Sequence, residues 1–121
     1  MKYESFSVVE SKVVPGVTFR VARMSFGRRM ELMRRVRELA RRVEFLEAGQ
    51  TAEDKMDAAL AAWEIDRLFV DWGLVAVAGL ELDGAEATPQ LLAAAGPEDL
   101  WREALAAVRR ETGLSADERK N

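Results

Sequence analysis

Along the first two dozen residues apolar and polar positions alternate: Val17, Phe19 and Val21 fall on one side, Thr18 and Arg20 on the other, after a Val14-Pro15-Gly16 turn signal. A period of two predicts a half-buried strand. An earlier run around Phe6, Val8 and Val9 is suited to pair with it across that turn, although Glu10 to Lys12 are too polar to set a register. From Ser25 onward the period lengthens. Leu32, Val36, Leu39, Val43 and Leu46, widened by Met33 and Ala40, gather into one stripe at about 100° per residue, while Arg34, Arg35, Arg37, Arg41 and Arg42 take the other side. Ser25 supplies an N-cap oxygen and Gly49 a C-terminal stop, so a long amphipathic helix is predicted between them.

Thr51 and Asp54 form a capping box with a short acid and open a second helix, which runs to about Trp72 before Gly73. Its pattern differs from the first. Met56, Leu60, Trp63, Ile65, Leu68, Phe69, Val70 and Trp72, with interspersed alanines, cover most of the circumference and leave a narrow acidic strip of Glu53, Asp57, Glu64 and Asp71. A helix that is apolar nearly all round is either central to a core or bound to something. Leu74 to Val77 and Leu80 to Leu82 flank Gly79, with Asp83-Gly84 closing the segment, which predicts a strand or short hairpin near 74–84. Thr88-Pro89 then starts a short helix ending near Gly96. Pro97 with Glu98 and Asp99 starts another, which Gly113 ends after Thr112. Ser115 and Glu118 repeat a capping-box signature in a charged, fraying tail.

The expected fold is therefore α+β, mainly α: two long helices and shorter C-terminal helices with a small antiparallel hairpin or sheet. A chain of 121 residues suits one domain. Within it, 1–24 holds the N-terminal strands, 25–113 the helical core with its hairpin near 74–84, and 114–121 a flexible tail.

Composition narrows the chemistry. The chain has no cysteine, hence no disulfide, thiolate ligand or cysteine nucleophile, and no histidine, hence no Ser-His arrangement and no histidine metal ligand. A formal charge of −3 gives no overall attraction to nucleic acid or anionic membrane. No apolar run approaches the roughly 18 residues of a membrane span, and no secretory leader pattern opens the chain, so a cytoplasmic location is expected. Neither a phosphate-binding glycine motif nor an EF-hand follows from Gly79, Asp83 and Gly84. No catalytic, cofactor or metal residue is assigned; the expectation is a non-enzymatic protein without a cofactor.

Three constellations remain. The seven arginines between Arg28 and Arg42 offer a phosphate-binding face, but Glu31 four before Arg35, Glu38 four before Arg42 and Arg34 four before Glu38 give it the look of a solvated, ion-paired surface. Arg29 points toward the apolar stripe of the first helix and Asp66 toward apolar neighbours of the second, so the two are expected to form a structural ion pair. Trp63, Phe69, Trp72 and Trp101 are either core or a surface for a partner. Trp63, Phe69 and Trp72 are the candidate partner-binding residues, since a helix so apolar brings more surface than one small domain buries.

Several segments resemble the small tail assembly chaperones of long-tailed bacteriophages and prophages. They are Pro15-Gly16-Val17, Met24-Ser25-Phe26-Gly27-Arg28-Arg29, Glu64-Ile65-Asp66-Arg67, Asp71-Trp72-Gly73, Leu80-Glu81-Leu82-Asp83-Gly84, Gly96-Pro97 and Glu118-Arg119-Lys120-Asn121. The resemblance implies a non-enzymatic protein of the host cytoplasm that binds the long, helical tape measure protein and delivers it to tail tube protein; the surplus apolar surface of the second helix adds a homo-oligomer as an expected alternative use of that surface. From charge and hydropathy no nucleic-acid or membrane partner is expected, and the resemblance implies a family made in two lengths by frameshifting, with a chain ending at Asn121 as the shorter. It carries no binding residue over. The alternatives are a structural tail or head-tail component of the particle and a nucleic-acid-binding regulator using the arginine face.

Overall fold

The computed structural model describes residues 1–113; the Ser115 and Glu118 capping box and the tail expected over 114–121 lie outside the described residues. The element order is β1 (Phe6–Glu10), β2 (Thr18–Ala22), α1 (Phe26–Glu47), α2 (Ala52–Gly73), β3 (Leu74–Ala78), β4 (Glu81–Leu82), β5 (Ala85–Glu86), α3 (Pro89–Ala95) and α4 (Glu98–Thr112). This is an α+β fold, mainly α. The chain divides into two compact units, Ser25–Leu68 and the remainder, and α2 is one continuous helix whose last residues, from Phe69, belong to the second of these.

The first unit is made of α1 and most of α2. Ser25 adopts extended backbone and its hydroxyl accepts the Arg28 amide at 3.2 Å, satisfying one of the orphan donors of the first turn. Thr51 does the same for the Asp54 amide at 3.0 Å. Gly49, between the helices, has no room for a side chain, because a Cβ there would fall 2.3 Å from an Asp54 carboxylate oxygen. Leu32 and Val36 of α1 and Ala58 and Ala61 of α2 are buried. Leu39, Val43 and Leu46, which continue the α1 stripe, are only half-buried, and Met33 is exposed. From Arg37 to Asp57 no residue is buried.

The second unit contains a three-stranded antiparallel sheet in the order β1-β2-β3, with α4 against β2 and α3 against β3. The predicted alternation is observed: Val17, Phe19 and Val21 are buried, whereas Arg20 is exposed on the opposite face and lays its guanidinium 4.3 Å from the Phe6 ring centroid. The β1–β2 register pairs Val9 with Phe19 and Phe6 with Ala22. It is pinned at the turn by Ser11 N–H donating to the Val17 carbonyl at 2.8 Å, and from α4 by Glu103, which accepts the Lys12 and Val13 amides at 2.8 and 3.3 Å. Leu100, Ala104, Ala107, Val108 and Thr112 form the buried stripe of α4. Phe69 and Val70, at the end of α2, are buried as well.

Of the strand or short hairpin expected near 74–84, the strand forms at Leu74–Ala78, and it is the pairing that needs correction. Leu74 to Ala78 do not fold back on the residues after Gly79; they join β2 as the third strand of the N-terminal sheet, with a bulge between Arg20 and Val21. The hairpin lies further along, where β4 and β5 pair Leu82 with Ala85. Its two turn residues are Asp83 (φ 52°) and Gly84 (φ 82°), both left-handed, as a two-residue turn matched to strand twist requires. Gly79 instead allows close approach: a Cβ would lie 2.2 Å from the Gly16 carbonyl oxygen. The remaining caps follow the sequence, with Thr88 accepting the Leu91 amide at 3.1 Å and Gly113 left-handed after α4.

Candidate partner-binding surface

The faces of α2 follow from its spacing. At about 100° per residue, Ala58, Ala61, Ile65 and Leu68 share one side, and the first two are buried and the others half-buried. Met56, Leu60 and Trp63, spaced by four and then three, line the opposite side. They are 67%, 59% and 46% exposed, against an expectation of burial for side chains of this size. Ala52 and Ala59 on the same side are exposed too. α2 is therefore apolar on two faces and buries one of them in this unit. The Arg67 guanidinium lies 5.7 Å from the Trp63 ring centroid, within cation–π range, and holds one face of the indole.

Of the three aromatic residues singled out from the sequence, Trp63 lies on this surface and Trp72 is half-buried in the other unit. Phe69 is a correction. It is 0% exposed, with the Arg109 guanidinium 5.0 Å from its ring centroid, so it is a core residue and offers no surface to a partner. Trp63 and Phe69 are six residues apart, about 120° around a helix, so helical spacing alone separates them. Met56 and Leu60, which composition alone marks only as apolar residues of α2, complete the surface. Their signal was the four-three spacing to Trp63.

The arginine face is solvated. Arg34 and Arg35 reach Glu31 at 3.1 and 3.7 Å, and all of Arg28, Arg34, Arg35, Arg37, Arg41 and Arg42 are exposed. The expected pairs of Glu38 with Arg34 and Arg42 do not form among the described residues; Arg34 turns to Glu31 instead. Arg29 and Asp66 are both half-buried, and neither is free of interactions. Among the described residues, no group of three or more carboxylates is arranged to hold a metal ion, and no helix is long and apolar enough to cross a membrane.

The surface can do one thing chemically. Three large apolar side chains in a row, without a convergent set of polar groups, remove apolar area from water when another apolar surface covers them, at about 25 cal/mol per Å². No family model matches the chain, and no curated protein or solved structure is significantly similar to it.

Proposed function

We propose that this protein is a non-enzymatic assembly chaperone that binds an amphipathic helix of another protein along Met56, Leu60 and Trp63. The observation that carries this reading is their exposure as one continuous row on a helix whose opposite face is buried or half-buried. A helix-in-groove or helix-on-helix partner is read through anchors at this spacing. The resemblance of several segments to phage tail assembly chaperones supplies the candidate partner, the tape measure protein, whose long helices carry an apolar stripe that must be covered until the tail tube closes around it. Tail tube protein is the next partner in that sequence of events, and the host cytoplasm is where it takes place. Many modest apolar contacts, repeated along a long partner by several copies, provide avidity without a deep pocket.

The test is co-expression with a fragment of the tape measure protein from the same genome. The fragment is expected to move from the insoluble to the soluble fraction and to elute with the chaperone. A fragment that stays insoluble, or detection of this protein as a stoichiometric part of purified particles, contradicts the reading and favours a structural tail component.

A further inference from the structure

Resting on that reading, we infer that the α2 surface selects a helix whose apolar seam is flanked by lysine or arginine, and that it disfavours a second copy of itself. Met56, Leu60 and Trp63 occupy the alternating positions of a heptad seam, written d, a and d. Asp57 and Glu64 then fall at successive e positions, one heptad apart on the same flank. The other flank carries Ala52 and Ala59 and then Asp66. Neither Asp57 nor Glu64 has an ion-pair partner among the described residues, whereas Asp66 is engaged. The edge of the seam is thus a row of two unneutralised carboxylates beside exposed apolar side chains.

In helix pairs the e and g residues face each other across the seam, and their charges choose partner and orientation. Two copies of α2 packed antiparallel would set the Asp57 and Glu64 rows against each other. Packed parallel, the same row would meet Ala59 and Asp66. Among these e and g residues neither arrangement contains an attractive pair; the one cation on the seam is Arg67, at the next a position, which lies against Trp63. A partner with basic residues along the facing flank makes two in either direction, each close to water-excluding apolar contacts and so less screened than an isolated surface pair.

The experiment uses the full chain and two synthetic peptides of about three heptads, long enough to hold helix on binding. They share a leucine seam and differ only in flanks, all lysine or all glutamate. Calorimetry at low salt is expected to give the lysine peptide at least tenfold tighter binding, with the ratio shrinking as salt rises. The double variant Asp57→Asn/Glu64→Gln is expected to lose that preference while still binding. Glu81→Gln/Glu86→Gln, on the separate hairpin, is expected to keep it, which separates the seam from the net charge. Equal affinities, a glutamate preference, or a preference surviving in Asp57→Asn/Glu64→Gln overturns the charge selection and leaves the apolar surface standing. Failure of both peptides to bind overturns the surface as well. Concentration-dependent self-association that Leu60→Lys abolishes overturns the exclusion of a second copy.

Discussion

The Ser11 hydroxyl donates to the Glu103 carboxylate at 2.5 Å, joining the end of the first strand to the middle of α4 across 92 residues of sequence. The same hydroxyl accepts the Val14 amide at 3.0 Å, so Ser11 both closes its own turn and fastens that turn to the helix. Burial pushes the Glu103 carboxyl up, but the Ser11 hydroxyl, the Lys12 and Val13 amides and the Lys12 charge outweigh it and hold it below the ordinary glutamate value.

A carboxyl held lower in the folded state than in the unfolded chain contributes stability above the unfolded value. That contribution is lost as pH falls from there through the lowered folded value. Glu103→Gln is expected to cost about 1–2 kcal/mol at neutral pH, because the two amides and the hydroxyl lose a charged acceptor. It should also flatten the acid limb of a stability-against-pH curve measured by urea denaturation. A variant as acid-sensitive as the parent would show that other carboxylates govern that limb.

Gly73 ends α2 where a Cβ would lie 2.4 Å from a Val108 methyl carbon on α4. Alanine is better than glycine within a helix by about 1 kcal/mol. Overpacking a buried contact costs about 1–3 kcal/mol, so the clash wins and Gly73→Ala is expected to destabilise. Adding Val108→Ala should recover part of the loss in a thermal melt. A stabilised single variant would mean that the two helices part without cost.

Local chemistry is what the sequence displayed best. Ser25, Thr51 and Thr88 each cap the helix they precede, and Gly113 ends α4, because each of these signals acts within a few residues. The partner of β3 was not legible: Leu74 to Ala78 alternate in a way that fits any neighbouring strand, and only tertiary packing selects β2 over the nearer Leu80 to Leu82. The Asp83-Gly84 dipeptide did mark the true hairpin turn. At the candidate surface, apolar composition showed that α2 had too many greasy faces but not which of them would be covered. Phe69 and Trp63 differ by helical angle, and their fates diverge for that reason.

Arg29 on α1 and Asp66 on α2 are both half-buried. A double-mutant cycle with Arg29→Met and Asp66→Asn is expected to give a coupling of at least about 0.5 kcal/mol, each single change leaving a half-buried charge to seek another partner. Strict additivity would show that the two act independently.

On the proposed function, Met56, Leu60 and Trp63 serve a partner and contribute little to the fold of the lone chain. Changing all three to glutamine separates the two roles when the melting temperature and the amount of co-expressed tape measure fragment kept soluble are both measured. The expected result is a stability within about 0.5 kcal/mol per site of the parent, as for other surface changes, together with loss of the soluble fragment. A collapse in stability, or full retention of the fragment by a stable variant, would contradict it.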